Sequence, residues 1–359
     1  MNPFVGVIYH WIGGLAAASF YIPYKGVKRW SWETYWLVGG VFSWIIAPAL
    51  LVWLLVPGFE SAIAGTPAKN LLWAFGFGVV WGVGGLTFGL TMRYLGVALG
   101  MAVALGLCAV FGTLIPPIFS GEFSNLLTAA SGRFILVGVA VCIVGIAVNG
   151  AAGISKEREL SQEQKQGTIA EFNLGRGVLL AVVCGVLSAM FAYGLAAGKP
   201  LAEATAKILA AQGRSDLWQN LPVLVIVLWG GFVTNFTWCL VLGARNRSFS
   251  EYLPATARRQ GVPYLANFML CAVAGVTWYL QFFFYSMGQT RMGRYEFSSW
   301  TLHMASIIIF GSIWGIALKE WKGTSPRTRA LVFSGIALLI GSTLFVGYGN
   351  FLSSGGVAP

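Results

Sequence analysis

Ten stretches of this chain carry no charged side chain: residues 4–22, 35–56, 71–92, 94–119, 134–154, 177–198, 221–244, 262–289, 297–318 and 330–350. All 23 Lys and Arg and all 12 Asp and Glu fall in the gaps between them. Each run approaches the ~20 apolar residues that cross a bilayer core as one helix. A charge at the centre of such a helix costs about 2.5–3.5 kcal/mol, which is reason enough for the segregation. The sequence therefore predicts an all-α membrane protein of ten transmembrane helices. The composition agrees, with 57% hydrophobic and 10% charged residues, where a soluble domain carries about 25% charged. Glycine is abundant at 47 residues, as in helices that approach closely in lipid. Arg93 alone separates the third run from the fourth, which predicts a tight helical hairpin there.

The formal net charge of +11 invites comparison with nucleic-acid-binding proteins. Its distribution argues for membrane orientation instead. With the N-terminus outside, the gaps facing the cytoplasm hold 16 basic residues and the external gaps 7. The positive-inside rule then places both termini outside. The polar segment 155–176 becomes a cytoplasmic linker between a first five-helix half, 1–154, and a second, 177–359. The Arg-rich segment Arg245–Gly261 is expected to fix topology near anionic lipid. The first run, with no basic residue ahead of it and no small-residue cleavage pattern nearby, is expected to be a retained helix.

The two halves are weakly repeated. Gly14-Leu15-Ala16-Ala17-Ala18-Ser19-Phe20 parallels Gly185-Val186-Leu187-Ser188-Ala189-Met190-Phe191. Arg93-Tyr94 leads to Phe111-Gly112-Thr113-Leu114 as Arg294-Tyr295 leads to Phe310-Gly311-Ser312-Ile313. Five is odd, so the second half must be inverted relative to the first. A 5+5 inverted repeat is a transporter architecture, with substrate bound near the midplane where the repeats meet.

Several chemistries are excluded. No run contains Asp or Glu, so the usual intramembrane carboxylate of a proton or sodium site is missing, as is a paired-carboxylate hydrolase site. No phosphate-binding loop, dinucleotide fingerprint or H-E-x-x-H occurs, which speaks against an enzyme and against a nucleotide cofactor. The five cysteines (Cys108, Cys142, Cys184, Cys239 and Cys271) lie in apolar runs without a C-x-x-C pair and are expected to be buried hydrophobes. Two histidines, His10 and His303, are too few for a structural zinc site.

What the runs do carry suits a sugar, which presents hydroxyls at its rim and C–H groups on its faces. Trp278, Gln281 and Tyr285 share one face of the eighth helix at i, i+3 and i+7. Gln281 offers two donors and an acceptor, Tyr285 a hydroxyl, and Trp278 a flat apolar plate. Ser299, His303 and Ser306 share a face of the ninth helix, with Trp300 adjacent. Trp81 and Phe88 lie on the third helix, Asn235 and Trp238 on the seventh, His10 and Tyr21 on the first. For proton coupling the candidates are His303, then His10, then Glu296 at the external start of the ninth helix. A bland reading competes with each. Trp32, Trp36, Trp53 and Trp321 fit an interfacial belt, and Gln281 and Asn235 could join neighbouring helices. The glycine pairs Gly78/Gly82, Gly85/Gly89, Gly96/Gly100 and Gly311/Gly315 read as packing faces. Pro48, Pro116 and Pro117 are expected to kink their helices.

The chain also resembles the L-rhamnose–proton symporters, a branch of the drug/metabolite transporter superfamily. The resemblance is carried by Trp30-Ser31-Trp32-Glu33-Thr34, Gly89-Leu90-Thr91-Met92-Arg93-Tyr94-Leu95-Gly96 and Glu171-Phe172-Asn173-Leu174. It continues through Trp278-Tyr279-Leu280-Gln281-Phe282-Phe283-Phe284-Tyr285, Ser299-Trp300 with Leu302-His303-Met304, and Leu318-Lys319-Glu320-Trp321. It implies proton-driven uptake of L-rhamnose across the bacterial inner membrane through ten helices in an inverted repeat. The partners it implies are the sugar, a proton and membrane lipid, with no cofactor and no nucleic acid. Gly85 stands where the resemblance leads us to expect a polar amide, and Glu296-Phe297 where it leads us to expect an aspartate–tyrosine pair. L-lyxose, L-mannose or another deoxy sugar therefore stays open as substrate. An exporter or exchanger of another small metabolite is the alternative function.

Overall fold

In a computed structural model the described residues are 2–95, 97–119, 121, 123–159 and 174–355. Ten long helical segments account for most of them. They are α1 (Pro3–Ser19), α2 (Trp32–Leu55), α3 (Ala68–Leu95), α4 (Val97–Phe119), α5 (Ala130–Glu159), α6 (Leu174–Ala197), α7 (Leu221–Asn246), α8 (Tyr264–Gln289), α9 (Ser299–Ala317) and α10 (Pro326–Ser353). Among the described residues, nine helices are long and apolar enough to cross a membrane, and Val103–Ile118 within α4 is a shorter apolar helix. The nine follow nine of the uncharged runs to within a few residues at most ends. The core of the linker, residues 160–173, lies outside the described residues. Its flanks are helical, with α5 extending to Glu159 and α6 starting at Leu174.

The chain forms two compact units, each drawing on both sequential halves. Unit 1 comprises Met1–Ala18, Val83–Ala192 and Met287–Pro359; unit 2 comprises Ser19–Gly82 and Tyr193–Ser286.

In unit 1, α5 and α10 pack along their lengths. A Cβ on Gly138 would lie 2.6 Å from Val346 Cγ2, and one on Gly145 2.9 Å from Leu339 Cγ. A Cβ on Gly335 would meet the Asn149 amide at 2.2 Å. The contacts run 138 to 346, 145 to 339 and 149 to 335, so the helices are antiparallel. With no hydrophobic drive between helices in lipid, backbone closeness and polar bridges hold such a pair. Ser312 Oγ donates to Asn149 Oδ1 at 3.2 Å, and a hydrogen bond of 2.6 Å joins the Ser155 and Thr328 hydroxyls. At the end of the pair, Ser325 caps α10 by accepting the Thr328 N–H at 3.2 Å, and Glu159 holds the cap by accepting from the Ser325 N–H and hydroxyl, both at 2.7 Å. In the same unit, His10 faces His303 and Gly14 abuts Ser306, so α1 and α9 run parallel.

In unit 2, α7 lies on α3. Gly78 and Gly230 remove the side chains that would keep these backbones apart, since a Cβ on either would come within 2.2 Å of a carbonyl of the other helix. Thr234 Oγ1 donates to the Val79 carbonyl at 2.8 Å. The contacts rise together in number, so this pair is parallel. Gly39 and Gly275 play the same part between α2 and α8, which also run parallel.

The expected kink at Pro48 takes a specific form. Pro48 has no N–H for the carbonyl of Trp44. The turn before it, Val41–Ile46, widens into a π-helix, in which the Ala47 N–H donates to the Phe42 carbonyl five residues back. Such π-turns concentrate at functional sites.

Candidate functional site

The polar and aromatic groups singled out in the sequence fall into two sets, one in each unit. In unit 1, α1 presents His10 and α9 presents His303. Both are fully buried, and their rings meet edge to face with centroids 6.5 Å apart. A Cβ on Gly288 would lie 2.7 Å from His10 Nε2, so the glycine makes room for that ring. The start of α9 is fixed by hydrogen bonds. Ser298 Oγ donates to the Tyr295 carbonyl at 2.7 Å and accepts from Asn350 Nδ2 at 2.9 Å.

Trp300 lies against His303 with centroids 6.4 Å apart. Its indole N–H donates to the Cys108 carbonyl at 3.0 Å, and its ring stacks on Phe191 at 5.7 Å. The ninth helix thus spends its tryptophan on ties to α4 and α6. Ser299 is buried and its hydroxyl has no hydrogen-bond partner among the described residues. Ser306 returns its hydroxyl to the Leu302 carbonyl at 2.7 Å. Phe88 is half-buried and packs on Leu95, Ala104, Ala181 and Cys184. Glu296 is exposed, in the short 3-10 helix Gly293–Ser298 ahead of α9.

In unit 2, Trp278 of α8 is the hub of an aromatic cluster. Its ring lies 5.0 Å from Trp44, 6.0 Å from Trp81 and 4.9 Å from Phe282. Two of the aromatic plates marked in the sequence, Trp81 and Trp278, are therefore brought together. Gln281 is buried, and its amide donates back to the Trp278 carbonyl at 2.9 Å. Asn235 accepts from Trp36 Nε1 at 3.3 Å and donates to the Gly231 carbonyl at 2.9 Å. Trp36 continues the cluster to Trp44 at 6.1 Å and stacks with Tyr21 at 6.3 Å. Tyr285 is buried, and Tyr21 is about half exposed.

Phe20, Tyr24, Trp36, Ser43, Trp44 and Trp278 line a hollow beside the π-turn. It has room for about one water molecule. Trp44 is buried and its indole N–H has no hydrogen-bond partner among the described residues. Sequence reasoning missed this element. It assigned Trp36 to an interfacial belt and passed over Trp44. The available signal was the proline four residues after Trp44, which predicts a disturbed turn at that tryptophan. The belt assignment suits Trp53, which is 66% exposed.

Long apolar helices, with buried histidines in one unit and a tryptophan-lined hollow in the other, are the features of a multi-pass membrane protein. The profile of the L-rhamnose-proton symport protein family matches residues 2–351. The chain is 38% identical to the L-rhamnose-proton symporter of Yersinia pestis (strain Pestoides F) over 346 residues, 96% of this chain and 97% of that one. It is 39% identical to the L-rhamnose-proton symporter of Citrobacter koseri over 346 residues, with the same coverage. The chain belongs to the L-rhamnose-proton symport protein family, and it is a multi-pass protein of the inner membrane.

Proposed function

We propose that this chain takes up L-rhamnose, or a closely related deoxy sugar, together with a proton. The observation that carries the reading is family membership across residues 2–351, with no half of the chain left unmatched. The exporter or exchanger alternative is not favoured, because the relatives named above are symporters. Reconstituted protein should accumulate labelled L-rhamnose in proteoliposomes under an inward proton gradient and release it when a protonophore collapses the gradient. Accumulation that ignores the protonophore would remove the proton from the reading.

The architecture that accompanies this function is ten helices in a 5+5 inverted repeat with both termini outside. Helices five places apart divide between the units alike. α2 and α7 lie in unit 2, and α4, α9, α5 and α10 in unit 1. α1 and α6 begin in unit 1 and end in unit 2, while α3 and α8 do the reverse. The antiparallel α5–α10 pair supports the inversion, since these helices hold equivalent places in the two halves.

Within this reading Trp278 and Trp81 are plates for the apolar faces of the sugar, and Gln281, Tyr285, Asn235 and Tyr21 its hydrogen-bonding groups. Ser299, Trp300 and Phe88 are the candidates in unit 1. His303 is the first choice as proton carrier, ahead of His10 and then Glu296, because His303 and His10 are buried ring to ring and Glu296 is exposed.

A further inference from the structure

We propose that unit 1 carries a binding site for the headgroup of an anionic phospholipid, between the end of α9 and the start of α10. A cavity there is lined by Ile316, Lys319, Trp321, Lys322, Arg329 and Phe333, with Val332 at its base. Its volume, about 210 Å³, is the larger of the two hollows described. Three cations on one cavity are a donor set for a phosphodiester. The Trp321 ring forms part of the wall, with its N–H turned against Gly315 of α9. Glu320, between two of the cations in sequence, is not in the lining. Glu159, the nearby acid, is engaged in capping α10 through Ser325.

The backbone adds a second observation. Lys319 follows the last turn of α9 at φ +58°, a left-handed position that glycine ordinarily takes. The Glu320 N–H closes the turn on the Gly315 carbonyl at 2.9 Å. A lysine in place of glycine there bears a conformational cost and sets an ammonium at the mouth of the cavity. Lys156 approaches the other face of Trp321, 4.9 Å from its centroid, and fixes the indole plane.

The occupant is a lipid rather than a free phosphate because of what adjoins the cations. Ile316, Phe333 and Ile313 are exposed, Phe333 by 60%. Both helices are apolar spans, so this surface faces acyl chains. A phospholipid would place its phosphate among the cations and its tails along Phe333 and Ile316. Basic pockets at the ends of apolar spans are suited to anionic headgroups, and each Lys or Arg near the membrane surface strengthens such binding.

The test is native mass spectrometry of the full chain released from detergent with defined lipids. The parent should retain phosphatidylglycerol in preference to phosphatidylcholine of the same chain length. The variant Lys319→Gln/Lys322→Gln/Arg329→Gln should bind phosphatidylglycerol on the order of a hundredfold more weakly. The control Arg245→Gln/Arg258→Gln, which removes two cations from the Arg245–Gly261 segment, should match the parent. A single reversal, Arg329→Glu, provides a second readout should the triple variant misfold. Equal retention of the two lipids, or unchanged retention in Arg329→Glu, would overturn the site. Equal competition by soluble glycerol 3-phosphate would overturn the lipid as occupant. Because no sugar enters the assay, its failure leaves the transport reading untouched.

Discussion

His303 and His10 meet ring to ring in a fully buried setting, on two helices that pack through Gly14 and Ser306. No Asp or Glu lies in any of the ten uncharged runs, so the proton of a symport cycle has few side chains within the spans to rest on. One group is enough. A single proton moving inward gains about 2.3 kcal/mol per 100 mV, roughly a fifty-fold accumulation of sugar. The variant His303→Gln keeps shape and hydrogen-bonding capacity but cannot take up the charge. It should still exchange labelled for unlabelled sugar yet lose the alkalinisation of the medium that accompanies uptake. Parent-like alkalinisation in that variant would clear His303 of the role. Gln281 poses a different question. Its amide donates one N–H to the Trp278 carbonyl in its own helix, which leaves the second N–H and the Oε1 acceptor for a sugar hydroxyl. Gln281→Ala should weaken sugar binding by about 1–3 kcal/mol if that amide bonds a buried hydroxyl, measured by quenching of tryptophan fluorescence. Unchanged affinity in the folded variant would take Gln281 out of the site.

At the scale of the helix, Pro48 and its π-turn are the feature with most leverage. The wide turn inserts one residue, and one residue of helix is about 100° of rotation. It therefore sets which way Trp36 faces relative to Trp44, and both line the aromatic hollow. Pro48→Ala restores the missing N–H and allows the turn to relax to an α-helix. The protein should remain folded, with sugar affinity reduced because the plates rotate out of register. Full affinity, with the thermal midpoint unmoved, would show that the π-turn does not shape the site. The α5–α10 contact gives a stability counterpart. Gly138→Val places carbon where Val346 already stands, and overpacking of this sort costs about 1–3 kcal/mol. It should lower the unfolding temperature in detergent. Nine of the ten runs were legible as spans, because the cost of a charge in lipid keeps Asp, Glu, Lys and Arg out of them. The clustering of Trp81 with Trp278 was partly legible, since spacing on one helix shows a shared face but not what opposes it. The role of Trp300 was not. Its neighbours Cys108 and Phe191 are 192 and 109 residues away in the chain, and no helical period reports such distances.

For the molecule as a whole, the helix directions and the basic residues argue to one threading. If successive helices alternate in direction, α1 and α9, α2 and α8, and α3 and α7 must run parallel, and α5 and α10 antiparallel. All four pairs do so, by the order of their contacts. These agreements support the proposal that all ten helices cross, and an even number of crossings would put the two termini on one side. On that proposal, the 16-to-7 distribution of basic residues predicts that the side is external. Labelling can decide it with little background, because all five native cysteines are buried and free. Ser354→Cys, one residue beyond α10, should react with a membrane-impermeant maleimide added to intact cells. Ser250→Cys, between α7 and α8, should react only after the membrane is made permeable. The reverse pattern would invert the protein in the membrane. It would also place His10 and His303, which lie in the first half of α1 and α9, toward the cytoplasm, where no external proton could reach them first.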